Sequence, residues 1–123
     1  MQYETLITTM QAYGKAREEQ DPDQIVALFT PDGTYQVKPG EIPLTWHAEI
    51  RSYRETYPVH DQKNIHFTLG RCNVANDTGY AERICNFDQI ESGKHIEMRG
   101  IILIHMEENK IKELREYRHV QKT

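Results

Sequence analysis

Residues 96–120 form the stretch that most constrains the fold of this chain. They contain two long strand-like runs separated only by residues 107–110, whose length and polarity predict a β-hairpin loop. Apolar residues occupy both sets of alternate positions in the first run. One set contains Met98, Ile102, Ile104 and Met106, and the other contains Ile101 and Leu103. Because side chains alternate between the faces of a strand, we expect this hairpin to be the covered spine of a sheet.

The composition limits the class of protein. The 123 residues are 37% hydrophobic and 28% charged, which fits one domain over residues 1–123 with a single core. The formal net charge is -4 and basic residues are scattered among acidic ones, which argues against a nucleic-acid partner. No segment has the pattern of a signal peptide or a membrane span, so we expect no membrane partner and a cytoplasmic location.

Helical periodicity predicts two helices near the N-terminus. Apolar residues recur at helical spacing over residues 3–19, and Tyr13 lies on that apolar side. Asp21, Pro22 and Gln24 then form a helix-start signal, in which Asp21 is the N-cap and Pro22 occupies the first helical position. We therefore expect Asp21 to cap a second, short helix.

Turn residues divide the middle of the chain. Residues 30–33 predict a turn, followed by a short strand over residues 34–38. Thr45 is expected to cap a third helix that ends at Pro58.

In the rest of the chain, apolar and polar residues alternate with a period of two, which is typical of β-strands. Two strands are predicted on either side of a turn at residues 76–79, and residues 91–94 turn the chain into the spine. The order is three helices, with one strand between the second and third, and then four antiparallel strands, which predicts an α+β layer fold.

Four segments occur in an order and spacing similar to those of a known superfamily. They are IVALFTPDGTY at residues 25–35, AEIRSYRE at 48–55, NVANDTGYAERI at 73–84 and ENKIKELREYR at 108–118. The chain resembles the nuclear transport factor 2-like (NTF2-like) superfamily, and within it the SnoaL-like and ketosteroid-isomerase-like proteins. The resemblance implies a cone in which three N-terminal helices pack on a curved, mostly antiparallel sheet and enclose a pocket.

The resemblance also implies which side chains enter the pocket. Inward positions on the strand after Gly79 would be Tyr80, Glu82, Ile84, Asn86 and Asp88, which leaves Arg83, Cys85 and Phe87 outside. The resemblance also implies that further side chains face the pocket: Glu116 and Arg118 from the last strand, and Tyr13, Tyr35 and Tyr53 from the opposite wall. Because a buried carboxylate needs a partner or a proton, we expect a polar pocket around Glu82.

Two interpretations of this polar set remain open. In the structural one, Arg118 forms a salt bridge with Glu82 or Glu116 and fixes the sheet. In the functional one, Glu82 or Glu116 is the general acid or base and Tyr13 polarises a substrate oxygen. The ligand-binding residues would then be Tyr35, Trp46, Tyr53, Asn86 and Arg118.

The predicted function follows from the second interpretation. It is acid/base chemistry of isomerase, cyclase, dehydratase or hydrolase type on a small, largely apolar molecule in the pocket. The alternative is a non-catalytic module of this fold that binds a small ligand or dimerises.

The match to the ketosteroid isomerases is partial. Tyr13 matches their oxyanion tyrosine on the first helix. Val37 and Lys38 stand where the general-base aspartate is expected, and Ile102 stands where the second acid is expected. The resemblance therefore does not imply steroid isomerisation by that mechanism, and the likeness to the superfamily's epoxide hydrolases is one of residue types alone.

No cofactor and no metal are expected, because the six histidines show no metal-ligand spacing. Cys72 and Cys85 are predicted to be reduced thiols that lie close together on the outer face, across the turn at residues 76–79. That face is predicted to be apolar and to form a homodimer, through Ile101, Leu103, Cys85, Phe87 and Tyr117.

Overall fold

The computed structural model describes residues 1–123 and contains three α-helices and six β-strands. The helices are α1 (Tyr3–Glu19), α2 (Pro22–Val26) and α3 (Trp46–Arg54), and a π-helical turn (Glu55–Val59) continues α3. The strands are β1 (Phe29–Gln36), β2 (Leu44–Thr45), β3 (Gln62–Ala75), β4 (Thr78–Gln89), β5 (His95–Glu107) and β6 (Lys110–Lys122). None of the helices has the length and apolar character that crossing a membrane requires.

All six strands belong to one curved, open sheet with the order β2-β1-β6-β5-β4-β3. Neighbouring strands are antiparallel except β1 and β6, which are parallel. The hairpin of β5 and β6 lies at the centre of the sheet, as the sequence predicted. The α+β class and the three-helix, NTF2-like arrangement are therefore confirmed.

Helix α1 packs on the inner face of the sheet through its apolar side. Leu6, Met10 and Tyr13 on this side are fully buried. Gly14 permits a close approach, since a Cβ there would lie 2.4 Å from a ring carbon of Phe67. The rings of Tyr13 and Phe67 meet edge to face with centroids 5.9 Å apart, which fixes the position of Tyr13 above the sheet.

The turn predicted at residues 30–33 is wrong, because these residues lie within β1. The pairing of β1 with β6 jumps from Phe29 opposite Ile111 to Thr34 opposite Glu113, so the residues between them bulge. Gly33 suits this bulge, since a Cβ there would lie 2.9 Å from the carbonyl oxygen of Ile111. The turn-forming residues distort the strand here without ending it.

The start and end of α3 also differ from the prediction. Thr45 is the N-cap residue, but its side chain makes no capping hydrogen bond. The Thr45 N–H instead donates to Oε1 of Glu49 at 3.1 Å. Pro58 does not end the helix, because it lies inside the π-helical turn, a local widening that often accompanies functional sites.

The predicted facing of β4 is wrong by one residue. Gly79, Ala81, Arg83, Cys85 and Phe87 are buried on the inner face, and the alternate residues from Tyr80 to Asp88 are not buried. Packing explains the choice, because Ala81, Cys85 and Phe87 join the apolar clusters of the core. The other register would have buried two carboxylates and an amide, and a one-residue shift moves every side chain of a strand to the opposite face.

The two cysteines are not neighbours, contrary to the prediction. Cys72 lies opposite Ala81 and Cys85 lies opposite Phe67, and both thiols are free. Cys85 is buried on the inner face, which also removes it from the predicted outer surface.

Phe87 is also absent from the predicted outer surface, because the register of β4 places it on the inner face. The outer surface keeps Ile101 and Tyr117, which are directly paired and are 46% and 40% exposed. Leu103 lies on the same face of β5 and is half-buried.

Asp21 caps α2 as the sequence predicted. Its Oδ1 accepts from the backbone N–H groups of Asp23 at 2.9 Å and Gln24 at 3.3 Å. The Gln24 side chain also donates to Asp21 Oδ2 at 3.0 Å. We expect Asp21→Ala to lower the free energy of unfolding by about 1 kcal/mol, as measured by urea denaturation, while Asp21→Asn stays near wild type. An unchanged midpoint in the alanine variant would contradict the cap.

Candidate functional site

A small polar cavity lies between the helices and the inner face of the sheet. Its volume is about 20 Å³, room for a group about the size of a water molecule. It is lined by Tyr13, Arg17, Tyr35, Tyr53, Arg54, Pro58, Gln62, Phe67, Arg83, Cys85, Met98, Glu116 and Arg118. We call it the inner cavity.

A wider groove, the mouth, adjoins the inner cavity. Its volume is about 470 Å³, and it shares Tyr53, Gln62, Met98 and Arg118 with the inner cavity. The apolar part of its wall comes from Val37, Ile42, Leu44, Tyr53, Tyr57, Phe87, Ile96, Met98 and Val120. The two spaces together suit a molecule with a small polar end and a larger apolar body.

Glu116 on β6 is the one carboxylate that lines the inner cavity, and only 3% of it is exposed. Its Oε1 accepts from Arg83 on β4 at 2.7 Å. Its Oε2 accepts from the Tyr35 hydroxyl at 2.6 Å and from Arg118 at 3.1 Å. The buried charge is thus matched by two guanidinium groups and a hydroxyl.

The surroundings keep Glu116 ionised. Burial alone would raise the pKa of this carboxyl, but Arg83, Arg118, Arg54 and the hydrogen bond from Tyr35 hold the pKa below its ordinary value. Burial also raises the pKa of Tyr35 well above its ordinary value, so its hydroxyl remains a donor. Glu116 therefore anchors the site as a carboxylate that accepts three hydrogen bonds from neighbouring side chains.

Arg54 and Tyr13 form a second buried pair. The Arg54 guanidinium donates to the Tyr13 hydroxyl, and its Cζ lies 4.9 Å from the ring centroid of Tyr35 and 5.3 Å from that of Tyr13. Only 3% of Arg54 is exposed, and its Nε has no hydrogen-bond partner. Because the Tyr13 oxygen accepts from Arg54, the hydroxyl proton is left to donate elsewhere.

Arg17 reaches the cavity from the next turn of α1. It donates to Oε1 of Gln62 at 2.8 Å and to Sγ of Cys85 at 3.3 Å. Neither of these acceptors is a carboxylate, so Arg17 brings a further positive charge into the cavity without an acidic partner.

The structure brings together five of the eight site residues predicted from the sequence. Tyr13, Tyr35, Tyr53, Glu116 and Arg118 all line the inner cavity.

Three predicted site residues lie elsewhere. Glu82 is exposed on the outer face, where its Oε1 accepts a long hydrogen bond of 3.4 Å from the Arg71 N–H. Asn86 is on the same outer face, paired with His66 and Glu97. Both errors follow from the register of β4. Trp46 begins α3, is 56% exposed and lines neither the cavity nor the mouth.

Among the lining residues that the sequence interpretation missed, four carry a guanidinium or an amide group: Arg17, Arg54, Gln62 and Arg83. A signal existed for two of them. Arg17 follows Leu6, Met10 and Tyr13 on the apolar side of α1 at helical spacing, and Arg54 follows Ile50 on α3 in the same way. An arginine on the apolar side of a helix must be buried with a partner or reach a cavity.

The sequence profile of the SnoaL-like domain family matches residues 10–114. The chain belongs to this family. A comparison with curated protein sequences gives no match.

Solved structures of low sequence identity share the fold of this SnoaL-like protein. A putative isomerase from Bacillus subtilis is 21% identical, the match covers 97% of this chain and 90% of that protein, and the TM-score is 0.85. The Δ5-3-ketosteroid isomerase from Mycobacterium sp. is 14% identical, with coverages of 97% and 98% and a TM-score of 0.82. An epoxide hydrolase of the LEH-like type from M. tuberculosis is 13% identical, with coverages of 94% and 83% and a TM-score of 0.76.

The arrangement differs from the two-carboxylate site expected from the sequence. With Glu82 outside, no second carboxylate stands beside Glu116 to split their pKa values. The structure also has no group of three or more His, Cys, Asp or Glu side chains placed to hold a metal ion. What the inner cavity offers is a set of fixed donors: the Tyr13 hydroxyl and several guanidinium groups.

Glu116→Gln should destabilise the protein, because Arg83 would remain buried without its charged partner. We expect the free energy of unfolding at pH 7 to fall by about 3 kcal/mol, as measured by urea denaturation. Glu82→Gln is the matched control and should change it by less than about 0.5 kcal/mol, since that side chain is exposed. Equal effects of the two substitutions would contradict this role of Glu116.

The stability difference between wild type and Glu116→Gln should also depend on pH. Because folding lowers the pKa of Glu116 from its ordinary value of 4.5, its contribution is present above about pH 4.5 and is lost as the pH falls through the folded pKa. The stability difference between wild type and Glu116→Gln should therefore shrink as the pH is lowered below 4.5. A constant difference from pH 7 to pH 3 would show that Glu116 does not titrate with a lowered pKa.

Proposed function

We propose that this protein binds a small, largely apolar molecule with its oxygen-bearing end in the inner cavity, and polarises that oxygen for acid/base chemistry. The observation that carries the proposal is the buried Tyr13 hydroxyl, which accepts from Arg54 and keeps its own proton free. A hydroxyl polarised by a guanidinium is a strong donor, and donors held in a dry site stabilise charge that develops on an oxygen.

The apolar body of the ligand would occupy the mouth. The inner cavity has room only for a small polar group, whereas the mouth is large enough for one or two rings and has an apolar wall. This difference in size orients the ligand with its oxygen toward Tyr13.

Glu116 is an anchor in this proposal, and it does not carry protons. It accepts three hydrogen bonds and has a lowered pKa, so it is a weak base. A base that takes a proton from the ligand would come from the mouth, where Glu41 and Asp61 are the carboxylates. The chemistry supported is removal of a proton beside a carbonyl group, or addition of a nucleophile to the carbon attached to the polarised oxygen, as in isomerase, cyclase, dehydratase or hydrolase reactions.

Non-catalytic binding is the alternative function, supported by the same cavity and mouth. It differs from the catalytic one only in lacking a base at the right place. Neutralising both candidates, by Glu41→Gln and Asp61→Asn, would leave ligand affinity intact under either function and remove turnover under the catalytic one alone.

Tyr13→Phe tests the polarising role. With 2-acetylnaphthalene as the probe, we expect the carbonyl stretch of the bound ketone to lie at lower wavenumber in wild type than in Tyr13→Phe, by infrared difference spectroscopy. The affinity should fall by about tenfold on loss of this charge-assisted donor. Tyr80→Phe is the control, because Tyr80 lies on the outer face and should change neither quantity. Identical spectra for wild type and Tyr13→Phe would overturn the proposed function.

We propose, in addition, that the outer face of the sheet forms a homodimer. Ile101 and Tyr117 are paired neighbours that remain exposed, with Leu103 and Tyr80 beside them on the same face. A contiguous group of large apolar side chains on a small protein marks an association surface.

Ile101→Glu should convert such a dimer to a monomer, because two copies would bring buried carboxylates together at the interface. Sedimentation velocity at high micromolar concentration would measure the change. Ile90→Glu is the control, since Ile90 is 50% exposed and follows the end of β4, away from this face. A monomeric wild-type protein would contradict the dimer.

A further inference from the structure

The charges of the inner cavity do not balance. Arg17, Arg54, Arg83 and Arg118 line it, and Glu116 is the single carboxylate among the lining residues. Arg83 and Arg118 both form salt bridges with Glu116, which leaves Arg17 and Arg54 without a salt bridge to any carboxylate. The interior is thus strongly cationic although the whole chain has a net charge of -4.

Such an imbalance is costly in the empty protein. Transfer of a charged group out of water is unfavourable unless another charge or several hydrogen bonds replace the water. Arg54 meets this condition only in part, through Tyr13 and the tyrosine rings around it, and its Nε has no acceptor. A buried donor without an acceptor is rare in folded proteins and indicates a missing partner.

The charges at the mouth are closer to balance. Lys38 and Glu41 form a salt bridge with Nζ 3.3 Å from Oε1. Asp61 accepts from the side chain of Gln89 at 3.0 Å, and the remaining basic residues are Lys122 and Arg118, which is shared with the inner cavity. The excess of positive charge is therefore greatest in the inner cavity, at the end where a ligand's polar group would lie.

We propose that the inner cavity is an anion site that takes the carboxylate of a small organic acid, with the apolar body of the acid in the mouth. Guanidinium groups match the planar carboxylate with paired N–H donors. The small inner volume disfavours a bulkier tetrahedral group such as a phosphate. This inference rests on the proposed function for the orientation of the ligand and adds its chemical class.

The test compares three probes of one shape on the wild-type protein by calorimetry. They are 2-naphthoate, its neutral amide 2-naphthamide, and the ketone 2-acetylnaphthalene. We expect 2-naphthoate to bind at least about tenfold more tightly than 2-naphthamide, since hydrogen bonds between charged partners are the stronger ones. Raising the sodium chloride concentration should weaken 2-naphthoate binding and leave the neutral probes unaffected.

The variants identify the arginine responsible. Arg54→Gln should lower the affinity for 2-naphthoate by about tenfold or more, and Arg54→Lys should recover part of that loss because it keeps the charge without the planar fork. Arg71→Gln is the matched control, because Arg71 is exposed on β3 and lines neither the inner cavity nor the mouth. It should change the affinity by less than about threefold, since an exposed charge is screened. The melting temperature of each variant checks that it is folded, and the wild-type comparison does not depend on them.

The outcomes separate this inference from the proposed function. Equal affinity for 2-naphthoate and 2-naphthamide, or no binding of 2-naphthoate at millimolar concentration, overturns the anion site. If 2-acetylnaphthalene still binds with a Tyr13-dependent carbonyl shift, the proposed function stands without it. If 2-naphthoate binds selectively but Tyr13→Phe leaves the infrared spectrum of the bound ketone unchanged, the anion site is supported and the polarising role of Tyr13 is overturned.

Discussion

The buried carboxylate of Glu116 is the interaction on which the interior of this protein depends. A carboxylate with 3% exposure must be supplied with donors, and the three donors come from separate strands: Tyr35 from β1, Arg83 from β4 and Arg118 from β6. Tyr35 and Glu116 lie on the parallel pair of strands, and Arg83 reaches them across the width of β5. One side chain thereby links strands that do not all pair with one another, and it fixes how the inner face is arranged.

The polar groups also divide the core. Fourteen buried residues form one apolar cluster, and Ile65, Cys85, Phe87 and Ile96 form a second, smaller one. The inner cavity is lined by members of both clusters. Since each buried apolar side chain contributes about 1.5–3 kcal/mol, the larger cluster can offset the cost of the arginine-rich region. The larger cluster thus serves stability, while the polar region is left available for a ligand.

The sequence predicted the features that depend on local chemistry. Periodicity found α1 and the β5–β6 hairpin, and Asp21 with Pro22 marked the start of α2, because each signal acts within a few residues. The features that failed depend on distant partners. The bulge at Gly33 is set by the pairing of β1 with β6, and the facing of β4 is set by which side chains fill the core. Ala81, Cys85 and Phe87 were the available signal for that facing, and they share a parity with Arg83.

The facing of β4 decides the chemistry of the site, since Glu82 and Arg83 are adjacent in sequence and only one of them can point inward. With Glu82 inside, the pocket would hold two carboxylates whose mutual repulsion separates their pKa values, as a general acid and base require. With Arg83 inside, Glu116 is neutralised by neighbours and the remaining arginines make the cavity cationic. A shift of one residue thus changes the electrostatic character of the site from acidic to basic without changing the composition of the chain. The charge of the inner cavity is therefore set by the register of β4 as much as by the residue types that the strand carries, because that register brings a fourth arginine beside Glu116 and keeps Glu82 outside.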